Sequence, residues 1–80
     1  MKRQTVCRGW PDLFLAVPKW NTVCDPYHGL FIELKRVKGG VLSDEQMDMM
    51  VMLKKYGYNA IVCRGADHAI QTIKEYLGIN

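Results

Sequence analysis

Eighty residues, 49% hydrophobic and 24% charged with a net charge of +3, describe one small folded domain over residues 1–80. Chains of this size bury only somewhat over ~60% of their unfolded surface, which excludes two independent domains and a deep cleft between lobes. Apolar runs fall short of the ~20 residues of a membrane span, and no apolar stretch follows the basic start Met1-Lys2-Arg3-Gln4-Thr5, so neither a membrane partner nor a secretory leader is expected.

Thr5 to Arg8 is a candidate first strand. Residues 12–17, Asp-Leu-Phe-Leu-Ala-Val, are a short apolar run that reads as a buried strand. Pro18 to His28 holds two prolines, an Asn and an Asp-Pro step, the composition of a loop. Gly29 to Lys35 reads as the next strand, paired with the previous one as an antiparallel hairpin with a long connection. Gly39-Gly40 then interrupts the chain.

Ser43 to Tyr56 is expected to be a helix. Ser43 with Gln46 three residues on makes a capping box. Asp44 and Glu45 suit the positive end of the helix dipole, Lys54 and Lys55 the negative end, and Gly57 stops the helix. Asn59 to Cys63 is a further strand, and Asp67 to Leu77 a second helix ended by Gly78. The order strand, helix, strand from Gly29 to Cys63 is a βαβ crossover with parallel strands.

The two helices pattern differently. In the second, Ala66, Ala69, Ile70, Ile73 and Leu77 form a stripe that suits one face of a sheet. In the first, Met47, Met49, Met50, Val51, Leu53 and Tyr56 spread over most of the circumference, leaving Asp44, Asp48 and Lys55 as a polar wedge. A helix apolar on two sides wants covering on both, and a symmetric homodimer through the 43–56 helix and the sheet is the default. The plainer alternative is a Met-rich helix that tolerates exposed apolar atoms.

Charge is uneven: residues 1–40 carry seven Lys/Arg against three Asp/Glu, residues 41–80 four against five. A basic first half suits a polyanion, though ordinary solubilising charge explains it too. The three cysteines, Cys7, Cys24 and Cys63, cannot form a complete disulfide framework and read as reduced thiols of a cytoplasmic protein. The pairs Cys24/His28 and Cys63/His68 raise a zinc site but lack the close spacing that makes one persuasive, and Cys63 equally suits a buried strand end.

Glu33 and Lys35 stand two apart on a strand and so share a face, opposite Ile32 and Leu34. Asp12 opens the neighbouring strand after Pro11. If the hairpin pairs these ends, two carboxylates converge, and a cation between them relieves the repulsion. Magnesium, with its preference for hard oxygen ligands and retained waters, suits such a pair, and Lys35 could orient a water or offset phosphate charge. Taken alone, Glu-x-Lys equally describes a salt bridge on a wet face.

The surrounding residues narrow the choice. Gly9-Trp10-Pro11-Asp12-Leu13, then Phe31-Ile32-Glu33-Leu34-Lys35, then Leu42-Ser43 with Gln46, then Tyr56-Gly57-Tyr58 before a strand, together resemble the stand-alone VRR-NUC domain, the virus-type replication-repair branch of the PD-(D/E)XK nucleases, from Gly9 to Leu77. The resemblance implies an α/β (α+β mixed) restriction-endonuclease-like core, a small mixed sheet flanked by two helices. It also implies Mg2+- or Mn2+-dependent hydrolysis of DNA phosphodiesters, with Asp12, Glu33 and the backbone carbonyl of Leu34 as metal ligands. Lys35 would be the catalytic lysine and Gln46 the motif glutamine, which lies within the apolar arc of its helix and could also cap it. Eleven residues precede Asp12 and none is acidic, so the first core helix of the family is expected to be missing here, either because the true start lies upstream or because this is a minimal form.

Arg8, Lys19, Arg36 and Lys38 flank these motifs and are candidate phosphate contacts or a solvated basic face. Trp10 and Trp20 could stack on bases or simply pack. His28 and His68 lie in no matching motif and read as surface histidines. Stand-alone members of the family resemble resolvases of branched DNA, so the resemblance implies a homodimeric endonuclease on four-way (Holliday) junctions, in a bacterial host cell if phage or prophage encoded. The rival readings are a DNA-junction binder with an incomplete metal site and a small zinc-stabilised interaction domain.

Overall fold

The computed structural model describes residues 9–19 and 26–79. The expected strand at Thr5–Arg8, together with Arg8, Cys7, Trp20 and Cys24, lies outside these residues. The described elements run β1 (Leu13–Leu15), β2 (Leu30–Lys35), α1 (Asp44–Lys55), β3 (Asn59–Arg64) and α2 (Ala66–Leu77). The three strands form one mixed sheet in the order β1-β2-β3. β1 pairs antiparallel with β2, Phe14 opposite Phe31, and β2 pairs parallel with β3, Lys35 opposite Arg64. The long hairpin and the parallel βαβ unit are thus both present. Beyond β1 the hairpin continues as a single bridge, in which Lys19 and Tyr27 exchange backbone hydrogen bonds.

Strand alternation distributes the core on both faces of the sheet. Leu30, Ile32 and Cys63 point to the α2 side, where they meet Ala69 and Tyr76. Phe31 and Ala60 point the other way and meet Met49, Met50 and Leu53 of α1. β2 is therefore buried on both faces along its first four residues. Glu33 is one of these four, on the α1 side.

Local chemistry sets the helix ends. Gln46 N–H donates to Ser43 Oγ at 3.1 Å, and Ser43 N–H donates to Gln46 Oε1 at 2.9 Å, which completes the capping box. Gly78 takes the left-handed conformation, φ 77°, that ends α2.

Two expectations are corrected. The 12–17 run is not a buried strand: β1 spans three residues at the edge of the sheet formed by the described residues, and Leu13 and Phe14 are exposed. A short apolar run looks alike at an edge and at a centre, because only pairing on its second side would bury it. In α2 the buried positions are Ala69, Thr72 and Tyr76, while Ile70 and Leu77 are exposed. The helix is rotated from the purely apolar stripe because two polar residues find partners inside. Tyr76 O–H donates to the Val17 carbonyl at 2.7 Å, and the Thr72 hydroxyl accepts from the Cys63 thiol at 3.4 Å. α1 keeps its expected two-sided character: Met49, Met50 and Leu53 are buried, while Met47, Val51 (68% exposed) and the capping Tyr56 are exposed.

Candidate active site

The hairpin register carries Asp12, one residue before β1, to the level of Glu33. Asp12 Oδ2 accepts from the Leu34 N–H at 2.9 Å, extending the ladder with a side chain where the β1 backbone has ended. Within a strand, the N–H and C=O of one residue project toward the same edge. The Leu34 carbonyl therefore faces the Asp12 side, as its amide does. Lys35 belongs to the opposite edge, where its carbonyl accepts from Gly65 N–H at 3.1 Å.

Glu33 is 3% exposed, beneath the first turn of α1. Its two oxygens have different surroundings. Oε2 accepts from Gln46 Nε2 at 2.9 Å and lies 3.6 Å from Lys35 Nζ. Oε1 is buried with no hydrogen-bond partner among the described residues. A bare carboxylate oxygen inside a protein is costly. Burial first, and the nearby Asp12 charge second, push the Glu33 carboxyl above its ordinary range, and Lys35 opposes both.

Gln46 does both jobs its position allows. Its Oε1 accepts from Lys35 Nζ at 2.9 Å and from Ser43 N–H at 2.9 Å, while its Nε2 donates to Glu33. Two donors on one side and a carboxylate on the other fix the amide orientation. One side chain thus joins the helix cap to the carboxylate and the lysine. Gly9 makes this approach possible. It has φ +82°, and a Cβ there would lie 2.4 Å from the Glu45 carbonyl oxygen and 2.7 Å from Gln46 N. The glycine before Trp10-Pro11-Asp12 is thereby pressed against the first turn of α1.

Asp12, Glu33, Leu34, Lys35 and Gln46 are thus brought together. The candidate phosphate contacts are more scattered. Lys19 sits across the sheet, its Nζ 5.4 Å from the Tyr76 ring centroid and 3.5 Å from the Glu75 carbonyl. Arg36 and Lys38 are exposed beside the turn that follows β2. His28 packs edge-on against Tyr58, and His68 Nδ1 accepts from Arg64 N–H at 3.0 Å. Cys63 is buried beneath α2, and among the described residues no three His, Cys, Asp or Glu side chains gather as a zinc site would require.

Sequence reading missed Arg64. Its guanidinium donates to the carbonyls of Gly40 at 2.6 Å and Arg36 at 3.3 Å, tying down the turn after Lys35. A Cβ on Gly40 would lie 2.9 Å from Lys35 Cβ, so this turn packs directly on the lysine stem. The one advance signal was an arginine directly after the expected Asn59–Cys63 strand, which the structure extends to Arg64.

The model of the VRR-NUC domain family matches residues 1–67. This chain belongs to the VRR-NUC family. A solved structure described as a VRR_NUC domain protein superposes with a TM-score of 0.81 at 33% identity, over 94% of this chain. That likeness extends to the mixed sheet and its two flanking helices. The chain spans 57% of the length of that protein. No curated protein matches. The VRR-NUC domain is a nuclease domain of the PD-(D/E)XK type, and the residues that suggested it, from the glycine before Pro-Asp to Gln46, are those the fold gathers.

The fit of a divalent ion rests on the donor set. Glu33 offers a buried oxygen with no partner among the described residues, and Asp12 stands close enough to raise the Glu33 pKa. Hard, anionic oxygens of this kind suit Mg2+ or Mn2+.

Proposed function

We propose that this chain is a Mg2+- or Mn2+-dependent endonuclease that hydrolyses phosphodiesters of branched DNA as a homodimer, with residues 1–80 as one nuclease domain. Its setting would be the cytoplasm of a bacterial host cell, as a phage or prophage product. The observation that carries the reading is the buried Glu33 carboxylate, with one oxygen held by Gln46 and Lys35 and the other without a partner among the described residues.

Asp12, Glu33 and the Leu34 carbonyl would hold the ion, which when bound supplies charge to a phosphate and a more acidic water. Gln46 holds Glu33 in place, so that its free oxygen keeps one direction. Lys35 stands with its ammonium between Glu33 and the Gln46 oxygen, a position from which it can donate to a phosphate oxygen or to an attacking water. Arg8, Lys19, Arg36 and Lys38 would contact flanking phosphates. Lys19, lying across the sheet, suits a strand that wraps the edge.

Two features support a dimer. The exposed side of α1 carries Met47, Val51 and Met52 among its charged residues, and an open groove of about 460 Å³ between α1 and β3 is lined by Met47, Met50, Val51 and Val62. β3 is also an edge strand among the described residues. A two-fold through this region gives two cutting sites, which suits symmetric junctions.

A second reading, a DNA-junction binder without cleavage, draws on the two acids that meet here, where the family's first helix often adds another. Incubation of the protein with labelled flap, duplex and four-way DNA, with and without Mg2+, separates the readings. The proposal expects metal-dependent, paired cuts in the four-way substrate by a species of dimer mass. Binding without cuts in Mg2+ or Mn2+ favours the binder.

A further inference from the structure

Among the described elements α1 packs on β3, and none packs on the β1 side of the same face. That side is aromatic. Phe14 lies flat on Phe31 with centroids 4.3 Å apart and 18° between planes. Trp10 and Tyr58 meet Phe31 edge-on at 5.6 and 5.3 Å. Phe31 is buried between these rings and α1, while Phe14 is 50% and Trp10 49% exposed. One face of the Phe14 ring is used by Phe31 and Tyr58 meets it at an angle of 71°, and the residue is still half exposed. Gly29 leaves room for the ring, since a Cβ there would come within 2.7 Å of it.

This surface continues the candidate active site. Phe14 is two residues from Asp12, and Phe31 two from Glu33, all directed to the α1 side. Two residues along a strand span roughly 7 Å. Stacked bases are ~3.4 Å apart along a DNA strand, so a nucleotide next to a phosphate at the carboxylates reaches the ring. A flat hydrocarbon face without donors or acceptors takes any base by stacking. A base inside a duplex has both faces covered by its neighbours, and only an unpaired or splayed base has one to offer.

We propose that Phe14, flanked by Trp10, is a stacking shelf for an unpaired nucleobase beside the phosphate to be cut. The choice of DNA as occupant rests on the nuclease reading. The inference goes further by assigning the substrate class: DNA with an unpaired nucleotide at a branch point or end.

Metal-free binding of a labelled oligothymidine and a blunt duplex, followed by fluorescence anisotropy, tests it. Phe14→Ala is expected to weaken oligothymidine binding by about fivefold to a hundredfold while changing duplex binding little. Phe14→Tyr should bind as the wild type does. Phe14→Leu, which keeps apolar packing on Phe31, should behave like Phe14→Ala, with thermal melts showing each variant folded. Wild-type binding by Phe14→Leu overturns the shelf, as does a wild type that binds no oligothymidine. A Phe14→Ala variant that turns a dimer into a monomer and still binds oligothymidine shows that a second copy covers the ring, and also overturns it. Junction cleavage in Mg2+ by the same preparations keeps the two claims apart. A wild type that cuts but lacks the stacking behaviour leaves the nuclease reading standing, whereas one that neither binds nor cuts DNA removes both.

Discussion

Replacing Gln46 separates its two roles, because each can be removed alone. Ser43→Ala takes away the hydroxyl that caps the helix and leaves the Gln46 amide on Glu33 and Lys35, so it should cost about 1 kcal/mol. Gln46→Ala removes the reciprocal cap, leaves Glu33 Oε2 without its 2.9 Å donor and takes the acceptor from Lys35. Hydrogen bonds to charged groups contribute about 1.5–3 kcal/mol, so the total should be about 2–4 kcal/mol. For a domain of this size that is a large part of roughly 4–12 kcal/mol of stability. Gln46→Glu is the discriminating variant. A carboxylate still accepts from Ser43 N–H and Lys35, but it repels Glu33 and donates nothing to it. Its stability should fall at neutral pH and recover in acid as one of the two carboxyls is protonated. Urea unfolding across pH reads all three variants. Equal losses for Ser43→Ala and Gln46→Ala, with Gln46→Glu matching the wild type at pH 7, would refute the bridging role and leave a helix cap alone.

Other outcomes follow from the same geometry. The Glu33 carboxyl is raised above its ordinary 4.5 by burial and by Asp12. A raised acid adds no penalty below its unfolded value and costs stability as pH climbs through the folded one, so the urea midpoint should fall with rising pH from about 4.5. Glu33→Gln should flatten that fall, and Mg2+ should partly reverse it in the wild type; an identical slope in Glu33→Gln contradicts the assignment. Arg64→Ala, which frees the Gly40 and Arg36 carbonyls, should cost about 1–2 kcal/mol and speed amide exchange in the turn over residues 36–40. Unchanged exchange there would mean that the turn holds itself. Gly9→Ala combines a φ of +82° with a Cβ driven against the Glu45 carbonyl. It should lose about 1–3 kcal/mol in thermal melts, and a neutral result would show that Gly9 does not press on α1.

Features determined by local chemistry were legible in the sequence. Ser43 and Gln46 announced the α1 cap because capping depends on neighbours in the chain. Strand alternation put Glu33 and Lys35 on one face, and the long hairpin brought Asp12 to Glu33, since both follow from pairing geometry. Placing Gln46 in the apolar arc of α1 anticipated its second role. Features set by distant contacts were not legible. The 12–17 run lies at an edge because no strand pairs with its second side among the described residues. α2 turns Thr72 and Tyr76 inward because Cys63 and the Val17 carbonyl, remote in sequence, meet their hydroxyls. Arg64 reaches carbonyls 24 and 28 residues away, and no spacing rule in the chain marks such a contact.

The central claim is that Asp12 and Glu33 form the site at which a divalent ion and DNA phosphate meet. Cleavage of labelled four-way DNA in Mg2+ by the wild type, Asp12→Asn and Glu33→Gln tests it most directly, with thermal melting run on the same samples. The account predicts cuts by the wild type that vanish on chelation of the metal, and none by either variant although both melt cooperatively. Cleavage by folded Asp12→Asn and Glu33→Gln at the wild-type rate would contradict it.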